Sequence, residues 1–189
     1  MIKDLILKNR SYRRFYQDYK ISLDELKDMV ELARLSASGR NLQPLKYYLS
    51  ADKETNRKIF STLAWAGYLQ DWDGPEEGER PTGYIIILGD TRLTRNYFCD
   101  HGIAAQSMLL GAVEKELGGC IFASIQREKL KQLLNIEEYF EILLVIALGK
   151  PKEKVIVEEV KNGEIKYYRD NNQVHHVPKR SLDDIIISS

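Results

Sequence analysis

Near the start of the chain the stretch NRSYRRF, residues 9–15, places three arginines, a serine and two aromatics in seven positions. Arg10 and Arg13, with the Ser11 hydroxyl, have the donors to grip a phosphate through charge-assisted hydrogen bonds, because guanidinium forks match its oxygens. The same residues also read as a solvated basic turn that pairs with acids such as Asp18. In SGRNLQP, residues 38–44, Asn41 and Gln43 each offer an amide donor and acceptor suited to the edge of a heterocycle. Ser, Gly and Asn are equally what a helix-to-strand connection uses. GGCIFAS, residues 118–124, sets glycines ahead of an apolar run, which lets backbone N–H groups approach a ligand; a Gly pair is also an ordinary helix stop. Lys179 and Arg180 add two cations, for a phosphate or simply for a soluble surface.

Other chemistries find little support. His175 and His176 are adjacent and point to opposite sides if the backbone is extended. Cys99-Asp100-His101 has no spaced partner to complete a tetrahedral site, so no metal is expected. The chain has neither an elbow-type motif with Ser-His-Asp order nor a GxxxxGK[ST] loop.

The elements that must position these groups follow from hydrophobic spacing. Ile2, Leu5 and Ile6 predict a short helix over 2–9 that delivers the chain to the arginines. SLDE at 22–25 is a capping box, and Leu26, Met29, Val30 and Ala33 make one apolar face, so a helix is predicted over 22–36. Pro44 disfavours helical geometry at Gln43 and makes 38–44 a loop ahead of the strand LKYYLS. A helix is predicted over 54–69, with Trp65 and Tyr68 on one face, followed by the acidic surface loop or lid 71–81. Trp65, Tyr68 and Trp72 are candidate ring-stacking walls of a substrate pocket, with core packing as the other reading. Tyr84–Leu88 reads as a strand and 97–117 as a long central helix whose Gly102 and Gly111 admit close neighbours. GCIFAS and ILLVIALG read as buried strands around the helix REKLKQLL. Asn162-Gly163 inside an alternating stretch predicts a hairpin. The segment 175–189 reads as a C-terminal arm, basic and then apolar, in need of a packing surface.

Composition bounds the answer. A chain of 189 residues with 43% hydrophobic and 30% charged residues is expected to form a single α+β domain, 1–189, around one core. Its longest apolar runs fall well short of the ~18–20 residues that span a bilayer, so no membrane association is expected. Its N-terminus lacks a secretory pattern, and Cys99 and Cys120 form no disulfide framework; a cytoplasmic location is the expectation. With 28 basic residues against 28 acidic ones, a nucleic-acid partner is not expected.

Together, in this order, RSYRRF, ASGRNLQP, DHGIAAQSMLL, ELGGCIFAS and VPKRSLDDII resemble the nitroreductase-like flavoprotein family along nearly the whole chain. The resemblance implies a mixed central sheet flanked by helices, in a homodimer with one FMN at each shared active site. It implies that Arg10, Ser11 and Arg13 bind the phosphate and ribityl chain, with Arg13 also near the N1 side of the flavin ring. Ser38, Asn41 and Gln43 would reach the cofactor of the other subunit, Ala123 and Ser124 would set backbone amides near flavin N5, and Lys179 and Arg180 would sit near the phosphate. The implied reaction is hydride transfer from NADH or NADPH through the flavin to a small planar acceptor such as a nitroaromatic or quinone, with no side-chain general acid. A dedicated dehydrogenation or flavin-fragmenting reaction is the alternative within the family, and a non-catalytic flavin-binding module is the alternative outside enzymology. Three positions depart from the family pattern: Asn9 replaces a further arginine, Leu45 an aromatic and Ile121 a tryptophan.

Overall fold

Helix α1, Ile2–Lys8, ends where Asn9 turns to extended backbone, and the arginine run that follows leads into the two-residue strand β1, Phe15–Tyr16. Helix α2, Leu23–Arg34, begins at the predicted capping box: the Ser22 hydroxyl accepts from the Glu25 N–H, and the Glu25 carboxylate accepts from the Ser22 N–H. A short turn of 3-10 helix, Gly39–Asn41, leads to β2, Leu45–Ser50, and α3, Lys53–Phe60. Then come β3, Gly83–Asp90, α4, Asp100–Glu114, β4, Gly118–Phe122, α5, Arg127–Leu134, and the twelve-residue β5, Phe140–Pro151. The C-terminal part holds β6, Val155–Glu159, β7, Tyr168–Arg169, β8, His175–Lys179, and α6, Leu182–Ile185. The structure is a computed structural model and describes residues 1–69 and 71–188.

The long strand β5 organises the larger sheet. It pairs antiparallel with β3, with β4 and, near its end, with β1; β2 pairs antiparallel with β3. Every residue of β3 is buried, as its unbroken apolar run requires of a strand covered on both faces. Alternation divides the core in two. Ile85, Ile87, Ile146 and Leu148 face α2 and α4, while Tyr84, Ile86, Val145 and Ala147 face the cluster of Ile59, Trp65 and Leu130. Helix α4 is central, and Gly111 is where α2 comes closest: a Cβ there would lie 2.2 Å from Leu32 Cδ1. Gly102 has no such neighbour among the described residues.

Several expectations need correction. Pairing between the named strands of the larger sheet is antiparallel; the mixed pairing lies in a second, three-stranded sheet, where β8 runs parallel to β6 and antiparallel to β7. Asn162 and Gly163 do make a turn with positive φ (53° and 74°) closed by the Lys161–Glu164 bridge, but the flanking strands pair with β8 and not with each other. The helix predicted over 54–69 stops at Phe60. Thr62 Oγ1 donates back to the Ile59 carbonyl (2.7 Å), and Leu63 then bridges to Ile125, so the chain leaves to join residues beyond β4. Trp65 and Tyr68 therefore share no helical face. Trp65 is 8% exposed, packed against Phe122 at 4.6 Å and Phe60 at 5.4 Å, with Trp72 edge-on at 6.3 Å. Both tryptophans belong to the core cluster; neither lines the cleft described below.

The acidic segment 71–81 is docked against the start of the chain. Glu79 accepts from Arg14 Nε and Nη2, the latter at 2.7 Å, and lies 2.9 Å from Lys152 Nζ. Gln17 Oε1 accepts from the N–H groups of Gly78 and Arg80. Hydrogen bonds from Arg14, and then from Lys152, pull the Glu79 carboxyl down to about 2. Because the folded value is depressed, this stability is present above the ordinary carboxylate value and is lost as pH falls through about 2. Glu79→Gln is expected to cost about 2 kcal/mol at neutral pH, read as a lower urea midpoint, since it leaves two cations without their counter-charge.

Candidate cofactor site

The arginine run lies alongside β4. Tyr12 N–H donates to the Gly119 carbonyl at 3.0 Å, and Ser11 forms a parallel bridge with Gly119, so residues 11–13 run extended beside the strand. Gly119 cannot carry a side chain here: a Cβ would sit 2.5 Å from the Ala147 carbonyl oxygen and 2.9 Å from Leu109 Cδ2. Arg10 folds back so that Nη2 donates to the Ile6 carbonyl (2.8 Å), satisfying the C-terminal end of α1, while its buried Nε has no partner among the described residues. Between these groups lies a cleft of about 340 Å³. Asn9, Arg10, Ser11 and Arg13 form one side, Gln106 and Leu109 of α4 and Gly119 and Ile121 of β4 the floor, and Tyr167, His175, Val177 and Lys179 the other side.

Arg13 is the most constrained of these groups, being 9% exposed. Its Nη1 donates to the Ser11 carbonyl at 3.1 Å and lies 3.2 Å from His175 Nε2, and its guanidinium stands 4.7 Å from the centre of the Tyr167 ring. Its backbone N–H donates to Glu153, whose other oxygen accepts from Arg169 Nη2 at 3.1 Å. The Arg169 guanidinium in turn lies 4.3 Å from the Trp72 ring. Glu153 thus ties the Arg13 backbone to the Arg169 guanidinium, one buried carboxylate beside two buried guanidiniums. Burial first, and then the charges of Arg13 and Arg169, push His175 down to about 4, so it does not add a third cation at neutral pH. The cluster carries an uncompensated positive charge beside the cleft, which an anionic ligand would balance. Cys120, within β4, is pushed up to about 11 by burial and is a thiol, not a thiolate.

The chain matches the Nitroreductase family over residues 6–77 and 78–150. It belongs to that family. Curated relatives include a Bacillus subtilis protein with the provisional name NAD(P)H nitroreductase MhqN, 22% identical over an alignment covering 78% of this chain and 87% of that protein. Among solved structures, a nitroreductase family protein from Streptococcus pneumoniae TIGR4 superposes with a TM-score of 0.71 at 18% identity, covering all of both chains. An FMN-dependent nitroreductase from Clostridium difficile R20291 superposes at 0.66 with 20% identity, covering 86% of this chain and 92% of that one. The protein is a nitroreductase-fold member of an oxidoreductase family that generally uses flavin.

In this member of the Nitroreductase family, four of the residues singled out in the sequence, Arg10, Ser11, Arg13 and Lys179, come together on the cleft from opposite ends of the chain. Arg180 follows β8, is exposed, and does not line it. Ala123 and Ser124 are exposed just past β4; their carbonyls accept from Arg127 Nη2 (3.2 Å) and the Ala64 N–H (3.1 Å). Ser38, Asn41 and Gln43 lie outside the cleft of their own chain. Tyr68, half exposed, reaches the cleft only indirectly, packing 4.9 Å from Tyr167.

The Ser38–Gln43 loop has its own anchor. Asp100, 4% exposed at the start of α4, accepts from Ser38 Oγ at 2.6 Å and from the Gly39 N–H at 2.8 Å, and Ser38 Oγ accepts from the Gln43 N–H at 2.9 Å. Arg40, Asn41 and Gln43 hold φ of 53°, 55° and 50°, which side-chain-bearing residues rarely adopt, so the loop depends on this anchor. Asp100→Ala is expected to destabilise the fold by about 2 kcal/mol and to speed hydrogen exchange at Gly39 and Gln43 before that of the sheet.

Sequence reasoning missed Gln106, Tyr167 and His175. Gln106 Oε1 accepts from Asn9 Nδ2 at 3.3 Å, so the residue ahead of the arginine run is tied to α4. His175 and His176 do point opposite ways. His175 is 1% exposed, while His176 faces Glu158 and Asp170 and stacks on Tyr168 at 4.7 Å. Their alternation was the one available signal, and nothing in the sequence said which of the two was inside.

Proposed function

We propose that this chain is an FMN-dependent oxidoreductase that takes a hydride from NADH or NADPH and delivers it to a small planar acceptor such as a nitroaromatic or a quinone. The observation that carries the reading is the convergence of Arg10, Ser11, Arg13 and Lys179 on one cleft. The chemistry of this donor set fits a phosphorylated flavin. It has uncompensated positive charge, an Arg10 Nε without a partner among the described residues, and a strand whose glycine lets backbone approach closely. When bound, FMN supplies the hydride chemistry at its ring. Arg10, Ser11 and Lys179 would hold the phosphate, and the buried Arg13 guanidinium would favour negative charge on the ring. Ala123 and Ser124 offer backbone N–H donors at the exit of β4.

The same reading takes the protein as a homodimer. The loop of Ser38, Asn41 and Gln43 completes the cleft of a second copy: Ser38 anchors it through Asp100, and Asn41 and Gln43 are exposed on it. The exposed apolar residues at both chain ends, Ile2 and Leu7 of α1 and Leu182 and Ile185 of α6, supply the surface that association would bury. Ile121, 40% exposed, lines the cleft; Leu45 packs against the first core cluster. Steady-state oxidation of NADH or NADPH with a quinone should show the parallel-line pattern of ping-pong transfer. A flavin-loaded protein inert toward both nicotinamides would be a carrier, and a stable flavin-loaded monomer in light scattering would remove the shared site.

A further inference from the structure

Arg13 Nη1 and His175 Nε2 are 3.2 Å apart, and the chemistry of the two groups dictates how they meet. A guanidinium has five N–H donors and no acceptor, so the bond exists only if Nε2 carries a lone pair. The imidazolium form is disfavoured by the surroundings: burial of the ring, and then the positive charges of Arg13 and Arg169, oppose it. Both oxygens of Glu153, the carboxylate of this cluster, are occupied, by the Arg13 N–H and by Arg169 Nη2. The ring hydrogen is therefore on Nδ1, which is buried and has no partner among the described residues. The backbone at this point is fixed as well. His175 N–H donates to the Lys154 carbonyl at 2.9 Å, and the residue pairs with both Val155 and Arg169.

We propose that His175 is a positioning residue for Arg13: as the neutral Nδ1–H tautomer it accepts one Nη1 hydrogen and so presents the Nε and Nη2 edge of the guanidinium to the anion bound in the cleft. The count of donors supports this. The two Nη1 hydrogens go to the Ser11 carbonyl and to His175, whereas no protein group among the described residues holds Nε or Nη2. Tyr167 covers the guanidinium at 4.7 Å, limiting its tilt, and itself lies 5.2 Å from the His175 ring. The assignment rests on the reading of the cleft as the FMN site.

Two measurements on the full chain test it. Nitrogen-15 NMR of the flavin-free protein at neutral pH should show His175 neutral with its hydrogen on Nδ1; an Nε2–H tautomer or an imidazolium overturns the proposal. FMN dissociation constants should separate two variants whose folding is checked by circular dichroism. His175→Phe, which keeps a ring but removes the acceptor, should weaken binding about tenfold or more, whereas His175→Gln, whose amide oxygen reaches the Nε2 position, should stay within about threefold of wild type. Equal losses in the two variants, with wild-type binding intact, overturn the positioning role alone. A wild-type chain that binds no FMN overturns the flavin reading itself and this assignment with it.

Discussion

Substituting alanine for Arg13 lowers FMN affinity by about 2–4 kcal/mol, roughly 30-fold to nearly 1000-fold. The size follows from where the side chain is. Arg13 is 9% exposed, its guanidinium makes no ion pair with a carboxylate among the described residues, and its Nε and Nη2 donors have no protein partner there. Removing it takes away a desolvated cation that solvent cannot readily replace. Isothermal titration with FMN measures the loss directly. Arg10→Ala should cost less, because Arg10 Nη2 is committed to capping α1 at the Ile6 carbonyl. Equal binding by Arg13→Ala and wild type would remove Arg13 from the site.

Gly119→Ala is expected to destabilise the protein by about 3 kcal/mol, the upper part of the usual cost of overpacking. The added methyl would meet the Ala147 carbonyl oxygen at 2.5 Å and the side chains of Leu109 and Leu148 at 2.9 Å. The two leucines have rotamers to try, but the carbonyl belongs to β5, whose pairing with β3 holds it on the other side. Relief must therefore come from moving β4 away from β5, which also shifts the bridge between Gly119 and Ser11 and so the arginine run. A fall in both melting temperature and FMN retention is the expected result. An alanine variant as stable as wild type would show that β4 is not held this closely.

Much of the frame was legible because local signals and tertiary packing agree. The Ser22–Glu25 capping box and the buried run of β3 each specify their element from a few residues. The glycine pair does not stop α4: the helix ends at Glu114, Glu116 takes the positive φ of 57°, and Gly118 and Gly119 open β4. Where other local signals fail, a competing contact explains it. Residues 61–69 have helical spacing, but the bridge from Leu63 to Ile125 and the demand of the core for Trp65 pull them out of the helix. Asn162-Gly163 fixes its turn, yet β8 is the better partner for both flanks. In the site, the cationic residues were readable from type and order, because charge and hydrogen-bonding capacity belong to the side chain itself. The burial of Arg13 beneath Tyr167 and His175 was not, since it depends on a segment about 160 residues away folding back over the N-terminus. Asp100 was passed over for the same reason: its role exists only once α4 meets the Ser38 loop.

The visible absorption spectrum of the purified protein, taken before and after anaerobic addition of NADH or NADPH, tests the central reading most directly. The account predicts the band of a bound oxidised flavin, retained through gel filtration or restored by added FMN, and bleached by one nicotinamide or both. A protein that is colourless as purified and remains so after incubation with FMN would contradict it.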